Sequence, residues 1–163
     1  MERHLTVTGF VVHEGRVGMH WHRKVGMWLP AGGHIEADED PVQAVLREIQ
    51  EEFHIEADVL PLARRVPYAG GPTQLEPPYT ILVEDLTDPP HQHIDLIYFC
   101  RLLSGYPGTS YDADNPILWF DLEALQAGAA ERDGELVAFA PDVQALAIEA
   151  IRQAATAGSL AAT

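Results

Sequence analysis

Three glutamates, Glu48, Glu51 and Glu52, crowd the stretch LREIQEEFHI at residues 46 to 55, where the other large side chains are mostly apolar. On a helix of about 3.6 residues per turn these carboxylates share a face, and each like-charge neighbour costs a few tenths of a kcal/mol. Something must offset that repulsion. Carboxylate oxygens grouped in this way are ligands for hard divalent cations, Mg²⁺ or Mn²⁺, rather than for zinc, which prefers imidazole and thiolate. A bound cation would in turn attract a small anionic ligand such as a phosphate. Taken alone, the RExxEE pattern reads first as a solvated helix face. Such a face would more naturally mix signs, yet the only basic residue of the helix is Arg47.

The helix that must carry these groups is legible from local signals. Asp40 is a good N-cap, Pro41 occupies the first helical position, and Gln43 completes a capping box. Val42, Val45, Leu46, Ile49 and Phe53 recur at the i, i+3, i+4, i+7, i+11 spacing of a packed face, with the glutamates on its flank. Ala44, one turn before Glu48, leaves room there for a bound group.

Around that helix the chain alternates short elements. HLTVTGFVVH and RVGMHWH, joined by Glu14 and Gly15, predict a β-hairpin. Trp28 and Leu29 suggest a short strand ended by Pro30, with AGG following as flexible backbone. Strands are expected over 58–66, 80–85 and 93–103, separated by proline-rich loops, and ILWF is expected to be the last. DLEALQ reads as a short helix, PDVQALAIEAIRQAA as a longer amphipathic one, and 156–163 as a frayed tail. The order is not regular βαβ, which points to helices on the faces of a mixed sheet in one domain over 1–155.

A chain of 163 residues can bury one substantial core. The single cysteine, Cys100, lies in the apolar LIYFC and reads as a packed thiol in a reducing compartment. A formal charge of −15 argues against a nucleic-acid polymer as partner. No apolar run is long enough to span a membrane, and the N-terminus lacks the pattern of a secretion signal, so a cytoplasmic protein is expected. A homodimer is left open.

Read together with the residues before it, the helix belongs to GHIEADEDPVQAVLREIQEEFHI, which resembles the Nudix box, G-x5-E-x7-R-E-U-x-E-E-x-G-U with U a bulky aliphatic residue. Gly33, Glu39, Arg47, Glu48, Ile49, Glu51, Glu52 and Ile55 match in register. Six fixed positions of this kind arise by chance at well under about one in a million starting points. One position departs: His54 replaces the glycine suited to a left-handed helix end, so altered local geometry is expected there. WLPAGG and ILWFDLEAL resemble the family's lead-in to the loop and its closing strand and helix.

The resemblance implies an α/β fold, a Nudix-type α/β/α sandwich with a mixed β-sheet between helices. It also implies Mg²⁺- or Mn²⁺-dependent hydrolysis of a nucleoside diphosphate linked to another moiety, as in a nucleoside triphosphate, nucleotide sugar, ADP-ribose or dinucleotide. In that reading Glu48 and Glu52, one turn apart, are the main metal ligands, with Glu51 a third ligand or a group that orients water. The carbonyl of Gly32 completes the shell, and Arg47 pairs with Glu39 to fix the Gly33 loop on the helix. Asp114 is placed to supply a further acid, although an Asp-rich turn explains it equally. His93 and Asp95 would line the substrate cleft, and Arg23 or Arg64 would grip a phosphate, a role that surface solubility also accounts for. The alternating His91, His93 and Asp95, and His20 and His22, raise a second metal site, though pocket or surface roles are more common. The rival reading is a Nudix-like binding or regulatory module, which would be expected to have lost box carboxylates or gained a DNA-binding domain.

Overall fold

A computed structural model describes residues 1–105 and 117–161, with side chains through residue 157. β1 (Arg3–His13) and β2 (Arg16–His22) form the expected hairpin. Glu14 and Gly15 at its tip take φ of 47° and 73°, the pairing that a tight two-residue turn between twisted strands requires. β3 (Met27–Leu29) and β4 (Ala31–His34) follow, then α1 (Pro41–Phe53). Next come β5 (Glu56–Val59), β6 (Thr80–Thr87), β7 (Pro90–Ser104) and β8 (Ile117–Phe120). The chain continues with α2 (Leu122–Ala127), a hairpin of β9 (Ala129–Arg132) and β10 (Glu135–Ala138), and α3 (Pro141–Ala161).

The main sheet is mixed. β1 and β7 run parallel at its centre, and the other pairings are antiparallel, with the order β3-β2-β1-β7-β5 and with β4 on β1, β6 on β7 and β8 on β2. Because successive strand side chains face opposite sides, Val7, Val11, Tyr98 and Cys100 pack under α1. Their neighbours Phe10, Val12, Ile97 and Phe99 pack with Leu125, Val143 and Ala147 of α2 and α3. The result is the α/β/α sandwich with a mixed sheet. Cys100 is wholly buried, and burial holds its thiol far above the ordinary range, as a packed thiol requires.

Several local expectations need correction. AGG is not flexible backbone but part of β4, paired with β1 from Thr6↔His34 to Gly9↔Ala31. The strand expected over 58–66 is β5, which ends at Val59 just ahead of Pro61, a residue with no N–H for a ladder. Arg64 and Arg65 therefore sit on the following loop and not on a strand. That loop is held by the buried Glu76 carboxylate, which accepts from the N–H groups of Leu62 and Ala63 at 2.9 and 2.8 Å. Backbone α3 continues through Ala161, past the start of the expected frayed tail. The β9–β10 hairpin was not anticipated. Among the described residues no helix is long and apolar enough to cross a membrane.

Candidate active site

α1 begins as its sequence dictates. The Asp40 carboxylate accepts from the N–H groups of Val42 and Gln43, and the Gln43 side chain returns a bond to the Asp40 N–H. Val45, Ile49 and Phe53 are buried against β1, which fixes the helix's rotation. Ala44 is also fully buried in that core, so it leaves no room for a bound group, contrary to the sequence expectation. At the other end His54 adopts φ 54° and ψ 35°, and its N–H bonds the Gln50 carbonyl at 3.1 Å. The left-handed turn is thus kept, and the expected change of geometry at this position does not occur.

With the helix so placed, Glu48 and Glu52 point at β4. The position that a Cβ on Gly33 would occupy overlaps the Glu48 carboxylate, so glycine is what lets this acid lie against the strand. The Gly32 N–H donates to Glu52 Oε2 at 3.0 Å. A strand residue directs its N–H and C=O to the same edge, so the Gly32 carbonyl faces the same side as these acids.

Arg47 collects the remaining charge. Its Nε and Nη2 donate to the two Glu39 oxygens at 2.6 and 2.9 Å, Nη1 reaches Glu48 at 2.8 Å and Glu51 at 3.2 Å, and Nη2 also reaches the His34 carbonyl at 3.1 Å. The expected Glu39–Arg47 pair is therefore a two-pronged clamp that ties the β4–α1 loop to the helix. It holds the Glu39 carboxyl below its ordinary range.

Glu52 has no such cation. Burial, reinforced by the charges of Glu48 and Glu51 and opposed by the Gly32 N–H, pushes its carboxyl up to about 7. His20 Nε2 is 3.9 Å away, but burial and the neighbouring His22 push that imidazole down to about 4, so at neutral pH the two do not form an ion pair.

Glu52 opens onto a cavity of about 410 Å³ between the sheet and the start of α3. The cavity lies where β1 exchanges one neighbour for another: β4 pairs it up to Gly9 and β2 from Val12 onward. His93 and Asp95 of β7 are on its wall. Asp95 is buried and accepts from the hydroxyls of Thr6 and Thr8 at 3.0 and 2.7 Å, while burial raises its carboxyl. Glu84, Asp142 and His34 also face the cavity and were not singled out from the sequence. The buried Nδ1 of His22 on the same wall has no hydrogen-bond partner among the described residues. Arg23 and Arg64 do not line it, and among the described residues no lysine or arginine does. Asp114 lies outside the described residues.

Residues 2–139 match the NUDIX domain. The chain belongs to the Nudix family. Its fold is that of solved Nudix hydrolases. One from Clostridium perfringens is 27% identical with a TM-score of 0.69, covering 93% of this chain and 98% of that one. A Nudix hydrolase from Nitrosomonas europaea is 14% identical with a TM-score of 0.59, covering 95% and 90%. A MutT Nudix hydrolase from Burkholderia pseudomallei is 18% identical with a TM-score of 0.59, covering 94% and 98%. Comparison with curated proteins gives no match.

In this Nudix protein two of the large aromatic side chains serve packing. Trp28 is buried against Trp21 and Phe120, and Tyr79 stacks on Phe99 and donates its hydroxyl to Glu149. Of the functional candidates that the sequence missed, His34 carried a usable signal, because it follows Gly32 and Gly33 directly on β4. Asp142 carried none, because only tertiary packing brings the start of α3 to the cavity.

Proposed function

We propose that the chain is a Mg²⁺- or Mn²⁺-dependent pyrophosphohydrolase of a small phosphorylated metabolite, cleaving a nucleoside diphosphate linked to another moiety. The observation that carries this reading is the sign of the cavity. Its described wall holds Glu52, Glu84, Asp95 and Asp142 without a lysine or arginine. A diphosphate entering such a space is repelled unless cations accompany it.

The donor set suits a hard cation. Glu48 and Glu52 offer carboxylate oxygens one helical turn apart, Gly32 presents its carbonyl to the same edge, and the destabilised charge on Glu52 is what a bound cation would relieve. When bound, such an ion supplies neutralising charge to phosphoryl oxygens and acidifies the attacking water.

The protein's own groups then have distinct tasks. The Gly32 N–H fixes Oε2 of Glu52 and so orients that carboxylate towards the cavity. With a cation bound there, the Glu52 carboxyl would be drawn back down from the value near 7 that burial gives it in the metal-free chain, keeping it anionic as a ligand. Arg47 holds Glu48 in place while Glu39 holds Arg47. Glu51 is exposed at the edge of this group, suited to a third-ligand or water-orienting role. His93 and Asp95 line the cavity from β7, where the substrate's second moiety would lie.

The test is product release from a panel of nucleoside triphosphates, nucleotide sugars, ADP-ribose and dinucleotides, with Mg²⁺, with Mn²⁺ and with chelator. At least one substrate should turn over only with a divalent ion, and Glu52→Gln should slow it by about a hundredfold or more. Absence of turnover across the panel, or turnover indifferent to both chelator and Glu52→Gln, refutes the proposal.

A further inference from the structure

A second cluster of metal-ligand type lies beside this cavity, and it differs in chemistry from the carboxylate group. Four imidazoles converge from three adjacent strands: His4 on β1, His34 on β4, and His91 and His93 on β7. Sheet register explains most of the meeting. His4 pairs with His93 across the parallel β1–β7 ladder, and His34 pairs with Thr6, two residues along β1 from His4. Side chains separated by two residues share a face of the sheet, so His4, His34 and His93 project to the same side.

The distances are those of a ligand cluster. One nitrogen from each of His4, His34 and His93 lies within 4.8 Å of the other two. His34 Nε2 is already 3.2 Å from His4 Nδ1. Nitrogens around a tetrahedral ion with bonds of about 2.0–2.1 Å stand roughly 3.3 Å apart, so modest ring rotation closes the set.

Outer contacts orient the rings for this purpose. His4 Nε2 lies 3.1 Å from the Glu2 carboxylate, which favours a proton on that nitrogen and leaves Nδ1 as the lone pair facing His34. His91 Nδ1 is 2.6 Å from the Pro89 carbonyl, which can only accept. That leaves His91 Nε2 as a lone pair directed at His93, 3.2 Å away. Glu84 lies 4.0 Å from His93 Nδ1, on the side where it would accept a hydrogen bond from that N–H when Nε2 is turned to a metal. A metal-bound histidine usually donates its outer N–H to a carboxylate or carbonyl in this way.

From this geometry we infer that His4, His34 and His93 form a binding site for a borderline divalent transition-metal ion of the Zn²⁺, Co²⁺ or Ni²⁺ type, separate from the carboxylate seat. Imidazole suits these ions, whereas Mg²⁺ takes oxygen ligands. The site leaves a fourth position for water, for His91 or for an anionic group of a ligand. His34 and His93 also line the cavity, so an ion held there adds positive charge at a wall whose described residues include no lysine or arginine.

The test uses the full chain, freed of metal by chelation, with Zn²⁺ followed by calorimetry and Co²⁺ by visible absorption in excess Mg²⁺. The wild type is expected to bind one Zn²⁺ per chain through these rings and to give the intense bands of tetrahedral cobalt. His34→Ala, at an exposed position, and His4→Ala should each weaken Zn²⁺ binding by about a hundredfold, a full ligand counting for at least as much as the outer contacts that give 10–100-fold effects. The double variant Glu48→Gln/Glu52→Gln should leave both signals unchanged while losing hydrolysis. Failure to bind, binding indifferent to the histidine variants, or binding lost in the glutamate variant overturns the inference. The last result places the ion on the carboxylates and leaves the proposed hydrolysis standing.

Discussion

Replacing Glu52 by glutamine should stabilise the metal-free protein, and only above an acidic threshold. Glu52 is about 7 in the folded chain against an ordinary 4.5, chiefly through burial. Below 4.5 the acid is neutral in both folded and unfolded chains and contributes no penalty. Between 4.5 and 7 the unfolded chain releases its proton while the folded one retains it, so stability falls as pH rises and levels off above 7. Each pH unit of that interval corresponds to about 1.4 kcal/mol, and with the side chain still 27% exposed the full effect is about 2–3 kcal/mol. Glutamine keeps an oxygen for the Gly32 N–H and removes the charge that Glu48 and Glu51 oppose. Thermal melts of both proteins in chelator should therefore coincide near pH 4.5 and diverge by roughly 5–10 °C at pH 8, with the variant higher. Saturating Mg²⁺ should then raise the wild type much more than the variant, which keeps Glu48 but has lost the Glu52 carboxylate as a ligand. A gap of equal size at both pH values, or a variant that melts lower at pH 8, would refute the assignment of Glu52 as a charge held at a cost for binding a cation.

Arg47→Lys should cost about 1–3 kcal/mol in urea titration and depress turnover, because one ammonium cannot reproduce the two-pronged clamp on Glu39 together with the bonds to Glu48 and the His34 carbonyl. A loss under about 0.5 kcal/mol would show the clamp to be a surface decoration. Gly33→Ala should lower kcat by about a hundredfold with the fold retained by circular dichroism, since the new methyl displaces the Glu48 carboxylate; unchanged kcat would mean that Glu48 has no fixed task. His54→Gly should stabilise the chain by about 1 kcal/mol at unchanged kcat, because glycine takes the observed left-handed φ without strain. A marked rate increase instead would reveal that His54 distorts the carboxylate end of α1.

What could be read from the sequence was what local physics decides. Asp40, Pro41 and Gln43 announce the start of α1 because a cap satisfies N–H groups only two or three residues away. The spacing of Glu48 and Glu52 needed only the helical period. The β9–β10 hairpin was equally local and was overlooked: Asp133 and Gly134 take φ of 53° and 84°, and an Asp-Gly pair between two short runs is a strong turn signal. Leu60 and Leu62, by contrast, misled the reading of 58–66 as a strand. They join the core under α3, and Leu60 still donates its N–H to the Phe99 carbonyl of β7. The ladder goes no further, because burial demands only an apolar side chain whereas pairing also demands N–H groups that Pro61 lacks. The far wall of the cavity was beyond any local rule. Glu84 and Asp142 face Glu52's cavity only after β6 has paired with β7 and α3 has packed across the sheet.

The carboxylates themselves depend on one such long-range approach. A Cβ placed on Gly9 would stand 2.8 Å from both Ile49 Cδ1 and Val45 Cγ2, so α1 lies closer to β1 than a side chain at that position permits. β4 is paired to β1 at this same residue, through Gly9↔Ala31, and the next two residues of β4 are Gly32 and Gly33. The helix is therefore drawn down onto the strand that carries the glycine pair, and the acids on its flank meet backbone rather than water. Burial of Glu52 and the upward push on its carboxyl follow from that approach, not from the three charges alone. The same RExxEE stretch on a helix held farther out would be the solvated face that its composition first suggests, with ordinary acids and nothing for a cation to relieve.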